Sequence, residues 1–278
     1  MSIWAHTLVK NEENFVWFSV MSVIEHVDKI LVYDTGSTDK TVEIVKEIKK
    51  RYPQKVVFRE VGNVDINEFT KVRQQMLNET KSDWFLIVDG DEIWWKNSIT
   101  KLTNLIIKSG KKYESIVVPT HNLVGDIFHY QEERAGLYKL AGKKGHLALR
   151  AVKRDIPGLK SDKPHGTWGW TDGVGRMIQD RNQKKIKFIN ASYLHASFLK
   201  RSNDGNEELV PKRKKKLKYE IGVKFPLDFY YPEVFFKPRP DIVPSPWIFM
   251  NNKDFLLSVV QTPARKLKRR LFRGGVGY

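Results

Sequence analysis

The sequence predicts an α/β fold with a mostly parallel central sheet flanked by helices, and three observations carry that prediction. Short apolar stretches alternate with segments of helical periodicity through the first hundred residues. The links between them are short, which specifies parallel strands joined by right-handed crossovers. The third observation is Phe85-Leu86-Ile87-Val88-Asp89-Gly90-Asp91-Glu92, four apolar residues running straight into three carboxylates. A strand buried on both faces reads this way, and in open α/β sheets ligands bind just outside the carboxyl ends of the strands.

In chain order, residues 3–9 form the first strand and run into the polar turn Lys10-Asn11-Glu12-Glu13. A helix follows over residues 15–25, with Phe15, Phe18 and Val23 inward. Residues 29–33 are the second strand, closed by Asp34-Thr35-Gly36-Ser37-Thr38-Asp39. Ser37, Thr38 or Asp39 can cap a helix over residues 41–51, which Pro53 ends. Residues 55–59 are the third strand, 67–79 the third helix and 84–88 the central strand. Past the acidic turn, 99–109 reads as an amphipathic helix and 115–119 as a strand, and 121–124 and 145–150 add antiparallel pieces. The carboxyl-end loops thus bring Asn11-Glu12, Asp34 to Gly36 and Asp89 to Asp91 to one edge. Three acids within four residues repel one another unless a cation sits among them. Mg²⁺ or Mn²⁺ holding a phosphate is the fitting resolution, with Gly90 letting the backbone turn so that Asp89 and Asp91 share a centre.

Composition narrows the class. With 41% hydrophobic and 12% aromatic residues, 278 residues bury one large core, or one core and an appendage. No apolar stretch is long enough to span a bilayer, and the start lacks a signal-peptide pattern, so a cytoplasmic chain is expected. The absence of cysteine excludes disulfides and thiolate metal sites. The net charge of +17 is unevenly placed: the first hundred residues hold 13 Lys+Arg against 16 Asp+Glu, leaving 36 against 16 for the rest. A basic surface in the back half should therefore meet something anionic.

Four segments in order carry a resemblance: Leu8-Val9-Lys10-Asn11-Glu12-Glu13, Ile30 through Thr41 around Asp34-Thr35-Gly36-Ser37, Glu68-Phe69-Thr70-Lys71-Val72-Arg73, and Leu86-Ile87-Val88-Asp89-Gly90-Asp91-Glu92. Together they resemble a family 2 glycosyltransferase with the GT-A fold, closest in flavour to bacterial enzymes that build lipopolysaccharide cores and surface glycans. The match is good over residues 1–95 and patchy after, and Arg73-Gln74 departs from the family's frequent Arg-Asn. The resemblance implies a nucleotide-diphosphate sugar donor, UDP-sugar favoured, and an inverting transfer to a glycan or lipid-linked acceptor. It implies a donor pocket lined by Val9, Asn11, Glu12, Asp34, Gly36, Arg73, Asp89, Gly90 and Asp91. Asp91, His195 and Asp89 would hold Mn²⁺ or Mg²⁺, with neutral imidazole suited to Mn²⁺. The general base would be an acid well after the metal motif, Asp172, with His165 second.

Residues 1–200 are expected to form the transferase domain, with 1–110 binding the donor and 111–200 the acceptor. Residues 201–278 form a basic, aromatic- and proline-rich extension. Its runs Lys212 to Lys218 and Arg265 to Arg273, and a basic amphipathic helix over 255–272, suit an anionic membrane surface on its inner face. Two other readings compete. A nucleotidyltransferase of similar fold would carry a glycine-rich phosphate loop after the first strand, and Leu8 to Glu13 has no glycine. A nucleic-acid-binding protein would exploit the basic back half, which lacks a helix-turn-helix or base-stacking module, so nucleic acid ranks as an unlikely partner.

Overall fold

A computed structural model of the chain describes residues 1–65, 68–163, 169–202 and 218–271. Outside them lie Asn67, where the third helix was expected to begin, His165, the basic run over 212–217 and everything from Phe272 onward.

The alternation resolves into β1 (Ile3–Val9), α1 (Val16–Val23), β2 (Lys29–Asp34), α2 (Thr41–Arg51), β3 (Val56–Glu60), α3 (Glu68–Glu79) and β4 (Trp84–Ile87). β1 pairs in parallel with β2 on one side, Trp4 opposite Lys29 through Val9 opposite Asp34, and with β4 on the other, Ile3 opposite Trp84 through His6 opposite Ile87. β3 extends the sheet beyond β2. The chain therefore winds outward from β1 to β3 and returns to the far side of β1, which makes the gap between β1 and β4 a topological switch point.

Local chemistry explains the helices. α1 is apolar nearly all round and is buried accordingly, with Val16, Trp17, Phe18, Val20 and Val23 all inside. It ends two residues sooner than expected, in a short 3-10 turn over Ile24–His26. α2 turns Ile44, Val45 and Ile48 inward, Asp39 accepts the amide of Thr41 at 2.9 Å, and Lys49, Lys50 and Arg51 sit where the helix dipole favours cations. α4 (Lys96–Ser109) begins earlier than expected because Glu233, from the far end of the chain, accepts the amide of Lys96 at 2.8 Å.

After β4 come β5 (Glu92–Trp94), which the sequence did not predict, β6 (Ser115–Val124) and β7 (Asp126–Tyr130). The pieces expected at 115–119 and 121–124 form one strand, continuous through Pro119. The strand Leu147–Lys153 lies antiparallel between β4 and β6, and Tyr193–Phe198 runs antiparallel to β5 and parallel to β6. The aromatic stretch that follows packs onto the body: Phe225, Tyr231, Val234, Phe235 and Val243 join the core that contains β1 and α1, with Phe235 edge-on to Phe18 at 5.2 Å. α5 (Asn252–Leu271) closes the described chain, matching the helix expected there.

Candidate active site

The loops after β1, β2 and β4 meet at the carboxyl edge of the sheet, at the switch point. Val9, fully buried, ends β1. Asn11 takes a left-handed φ of 51°, a conformation asparagine tolerates better than most residues. Its Oδ1 accepts from the Thr38 amide at 2.8 Å and its own amide donates to Ser37 Oγ at 2.9 Å, stitching the first loop to the second. Asp34 is buried and turned into its own loop: Oδ2 accepts the amides of Gly36 at 2.9 Å and Ser37 at 3.0 Å, while the Ser37 hydroxyl donates to Oδ1. Gly36 has φ +86°, and a Cβ there would come within 2.4 Å of Asn63 Oδ1, so only glycine fits.

The backbone turns at Gly90 as expected, with the Glu92 amide donating to the Asp89 carbonyl at 3.1 Å. Gly90 does not have a positive φ; instead a Cβ on it would lie 2.9 Å from Val9 Cγ1 and 3.0 Å from Glu12 Cγ. It is glycine because the β4 and β1 loops touch there. The two aspartates stand close enough for Asp91 to act on Asp89, and each also faces cations. Asp89 faces Arg73 Nη2 at 3.3 Å and Arg150 Nη2 at 3.5 Å. Asp91 faces His195 Nε2 at 3.5 Å and Arg201 Nη1 at 3.9 Å. Glu92, wholly buried, is hydrogen-bonded to Arg150, whose Nε donates to the Tyr193 hydroxyl at 2.9 Å.

These environments set the charges. Burial works to raise the Asp89 carboxyl, but the Arg150 and Arg73 guanidinium groups outweigh it and hold the group below its ordinary range. Glu92 goes the other way: burial pushes it up to about 7 even with Arg150 beside it, and Asp89 adds to the rise. Burial likewise pulls the Arg73 guanidinium down, opposed by Asp89.

His195 reaches the rim through strand pairing. Tyr193–Phe198 lies antiparallel to β5 with His195 opposite Glu92, and the Ala196 amide donates to the Asp91 carbonyl at 2.9 Å. The segment beyond is tied to the first loop: Arg201 Nη1 donates to Glu12 Oε1 at 2.5 Å, and Asn14 Nδ2 to the Lys200 carbonyl at 3.0 Å. Arg150, Glu92 and Arg201 are the site residues that sequence reasoning did not assign. Arg150 had a signal, an arginine inside an otherwise apolar strand; Arg201 had none.

Asp172 is joined to a different set of partners. Oδ1 accepts the amides of Val174 at 3.2 Å and Arg176 at 2.9 Å, and Oδ2 pairs with Arg181. Burial alone would raise this carboxyl, but the hydrogen bonds from Arg176, Arg181 and Val174 hold it below its ordinary range. It serves here as the anchor of its own turn, which is a poor arrangement for taking a proton from an acceptor. Gln74, where the sequence departs from the family habit, accepts the Ser161 amide at 2.9 Å and so joins α3 to the short strand Lys160–Ser161.

Among the described residues at this rim, Asp91 and His195 are the pair that could ligate a divalent cation. Asp91 and His195 present one oxygen and one nitrogen to each other across 3.5 Å, a pairing appropriate to Mn²⁺. Asp89, which was expected to join them, has both oxygens turned to arginines. Among the described residues no cluster of three or more acidic, histidine or cysteine side chains stands close enough to enclose an ion. Two protein ligands, with phosphate oxygens and water filling the other positions, is the habit of cations that bind nucleotides.

An Asp-x-Asp turn and a histidine facing it thus stand at the switch point of a mostly parallel sheet. The model for glycosyl transferase family 2 matches residues 6–163, more than half of the 278-residue chain, and the chain belongs to that family. No curated protein sequence matches it. Among solved structures, S. aureus TarS is similar at 15% identity over 70% of this chain and 37% of that one, with a TM-score of 0.47. TarS 1–349 in complex with UDP-GlcNAc gives 14% identity, 74% and 60% coverage and a TM-score of 0.47. Glucosyl-3-phosphoglycerate synthase from Mycobacterium tuberculosis, in complex with Mn²⁺ and UDP-glucose, gives 19% identity, 75% and 72% coverage and a TM-score of 0.43. The chain spans less than two thirds of the length of either TarS structure.

Proposed function

We propose that this chain transfers a sugar from a nucleotide-diphosphate sugar, with uridine the base to test first, to a glycan or lipid-linked acceptor at the inner face of a membrane. The observation that carries the reading is Asp91 facing His195 across 3.5 Å at the switch point of a family 2 sheet. Val9, Asn11, Glu12 and Gly36 form the wall against which the nucleotide lies, and Asp34 keeps that wall in shape through the Gly36 and Ser37 amides. Asp91 and His195 would hold Mn²⁺ or Mg²⁺, which when bound neutralises the diphosphate leaving group as charge develops on it.

The chain's own cations set the remaining electrostatics. Arg73 and Arg150 hold Asp89 ionised and in place, so the rim keeps one fixed carboxylate beside the donor. Arg201, bridging Glu12 and Asp91, stands where a diphosphate would arrive and can exchange a carboxylate for a phosphate oxygen at little reorganisation. Asp172 shapes the acceptor half by fixing the turn over 172–176. Inversion at the anomeric carbon follows the family's habit.

The test is thermal stability of the full chain against UDP, GDP, CDP and dTDP, each with and without Mn²⁺. Saturating one diphosphate to a hundred times its Kd adds about 2.7 kcal/mol of stability. Stabilisation by one diphosphate that needs the metal, and that Asp91→Ala abolishes, is the expected result. A flat response to all four in a folded sample overturns the reading.

A further inference from the structure

α5 is built inside out. The side it lays on the body is polar: Ser258 and Thr262 are its buried residues, and Arg265 and Arg269 continue the same stripe at helical spacing. Thr262 Oγ1 accepts the Ile221 amide at 2.8 Å, and Arg269 makes a fork to buried Glu220, at 2.5 and 2.6 Å, and reaches Glu132 at 3.1 Å. On the opposite side Leu256, Val260, Leu267 and Leu271 stand 65%, 76%, 57% and 66% exposed. With Pro263 they fall at successive helical turns and make one apolar stripe facing away from the protein. A soluble surface helix has these two faces the other way round.

We infer that this outward stripe lies on an anionic lipid surface, with α5 parallel to the membrane plane and the sheet above it. Charge selects the occupant. At about 100° per residue, Lys266 and Arg270 flank the stripe on one edge and Lys253 and Lys268 on the other, and Asp254 is the helix's one acid. Cations bordering an apolar strip on both sides match acidic headgroups over acyl chains. A second copy of the chain would bring the same two rows of cations together, on a protein of net charge +17. The inference deepens the membrane placement proposed above and rests on it, but it does not need donor binding to be correct.

The experiment is flotation of the full chain with vesicles of phosphatidylcholine alone or mixed with phosphatidylglycerol. Binding to the mixed vesicles, weak binding to the neutral ones and loss of binding with added salt are expected. Val260→Glu with Leu267→Glu, both at side chains exposed in the folded protein, should weaken binding at least tenfold. Lys266→Gln should weaken it about fivefold. UDP-dependent thermal stabilisation should stay unchanged in all of them, which separates failure at the lipid from failure at the donor site. Equal binding of the double variant and the parent, or no binding to the mixed vesicles, overturns the inference. So does a parent chain that light scattering finds as a dimer and the double variant as a monomer, since that gives the stripe to a second copy.

Discussion

Arg150 is the residue whose removal tests the site's construction most directly. Its guanidinium touches the buried carboxylate of Glu92, stands 3.5 Å from Asp89 and donates through Nε to the Tyr193 hydroxyl, while its own side chain is 8% exposed. Arg150→Met keeps much of the side-chain volume and removes only the charge and donors. Glu92, with no exposed surface, is then left without its guanidinium, and breaking a buried pair from one side costs about 3–5 kcal/mol. For a chain of this size, at about 2 °C per kcal/mol, the melting temperature should fall by roughly 6–10 °C. Denaturant titration measures the free energy and calorimetry the melting point. Asp89 also loses one of its two cations, so diphosphate stabilisation should weaken in the same variant. The double variant Arg150→Met with Glu92→Met should recover much of the lost stability, because both charges leave together. A loss below about 1 kcal/mol, or a double variant no better than the single one, would refute the claim that Arg150 compensates these carboxylates.

Other parts of the fold make separate predictions. Gly90→Ala places a methyl 2.9 Å from Val9 Cγ1, so it should cost about 1–3 kcal/mol and reduce diphosphate stabilisation, measured by thermal shift. His6 is buried, hydrogen-bonded to Thr80 Oγ1 at 2.6 Å and stacked on Phe85, and burial followed by the field of Arg73 lowers its pKa to about 3. The unfolded chain therefore binds the extra proton first, and stability should fall as pH drops from about 6.5 toward 3; His6→Leu should flatten that part of the curve in acid denaturation. Arg269→Met strips Glu220 of its fork, and hydrogen exchange over 252–271 should accelerate while the protection of β1 and β4 stays unchanged.

Much of the nucleotide-side architecture was legible because its signals are local. Strand and helix alternate with short links up to β4, so chain order alone placed three acidic loops on one edge. Alignment of side chains within that edge was not legible, since it depends on partners distant in sequence. Arg150 is brought to Asp89 by the antiparallel strand Leu147–Lys153, and β5 exists because Tyr193–Phe198 pairs with it. The turn at Gly90 was legible, but the close approach that requires glycine there was not, because those atoms belong to Val9 and Glu12. Asp172 was chosen by its distance along the chain from Asp91, and the structure joins it to Arg181 and its own turn. In α5 the periodicity was visible, but which face would meet the body was not, because burial of Ser258, Thr262 and Arg269 is fixed by Ile221 and Glu220.

The three arginines at the rim divide the labour among the acids. Glu12, Asp89, Asp91 and Glu92 carry up to four negative charges within a few residues of the switch point, and Arg73, Arg150 and Arg201 bring three positive ones. Two of the three come from strands or helices, Arg73 on α3 and Arg150 on Leu147–Lys153, and both are buried. They act on Asp89 and Glu92, whose positions are therefore settled when the sheet forms. Arg201 follows the strand Tyr193–Phe198 in a loop, and it is shared between Glu12 at 2.5 Å and Asp91 at 3.9 Å. A guanidinium held by loop geometry exchanges partners at lower cost than one locked between packed strands. The rim thus pairs a rigid half, which fixes the shape of the crevice, with an adjustable half at Asp91, His195 and Arg201. In the donor-binding reading proposed above, a cation and a diphosphate would meet the adjustable half, and the rigid half would keep the carboxylates of Asp89 and Glu92 from following them.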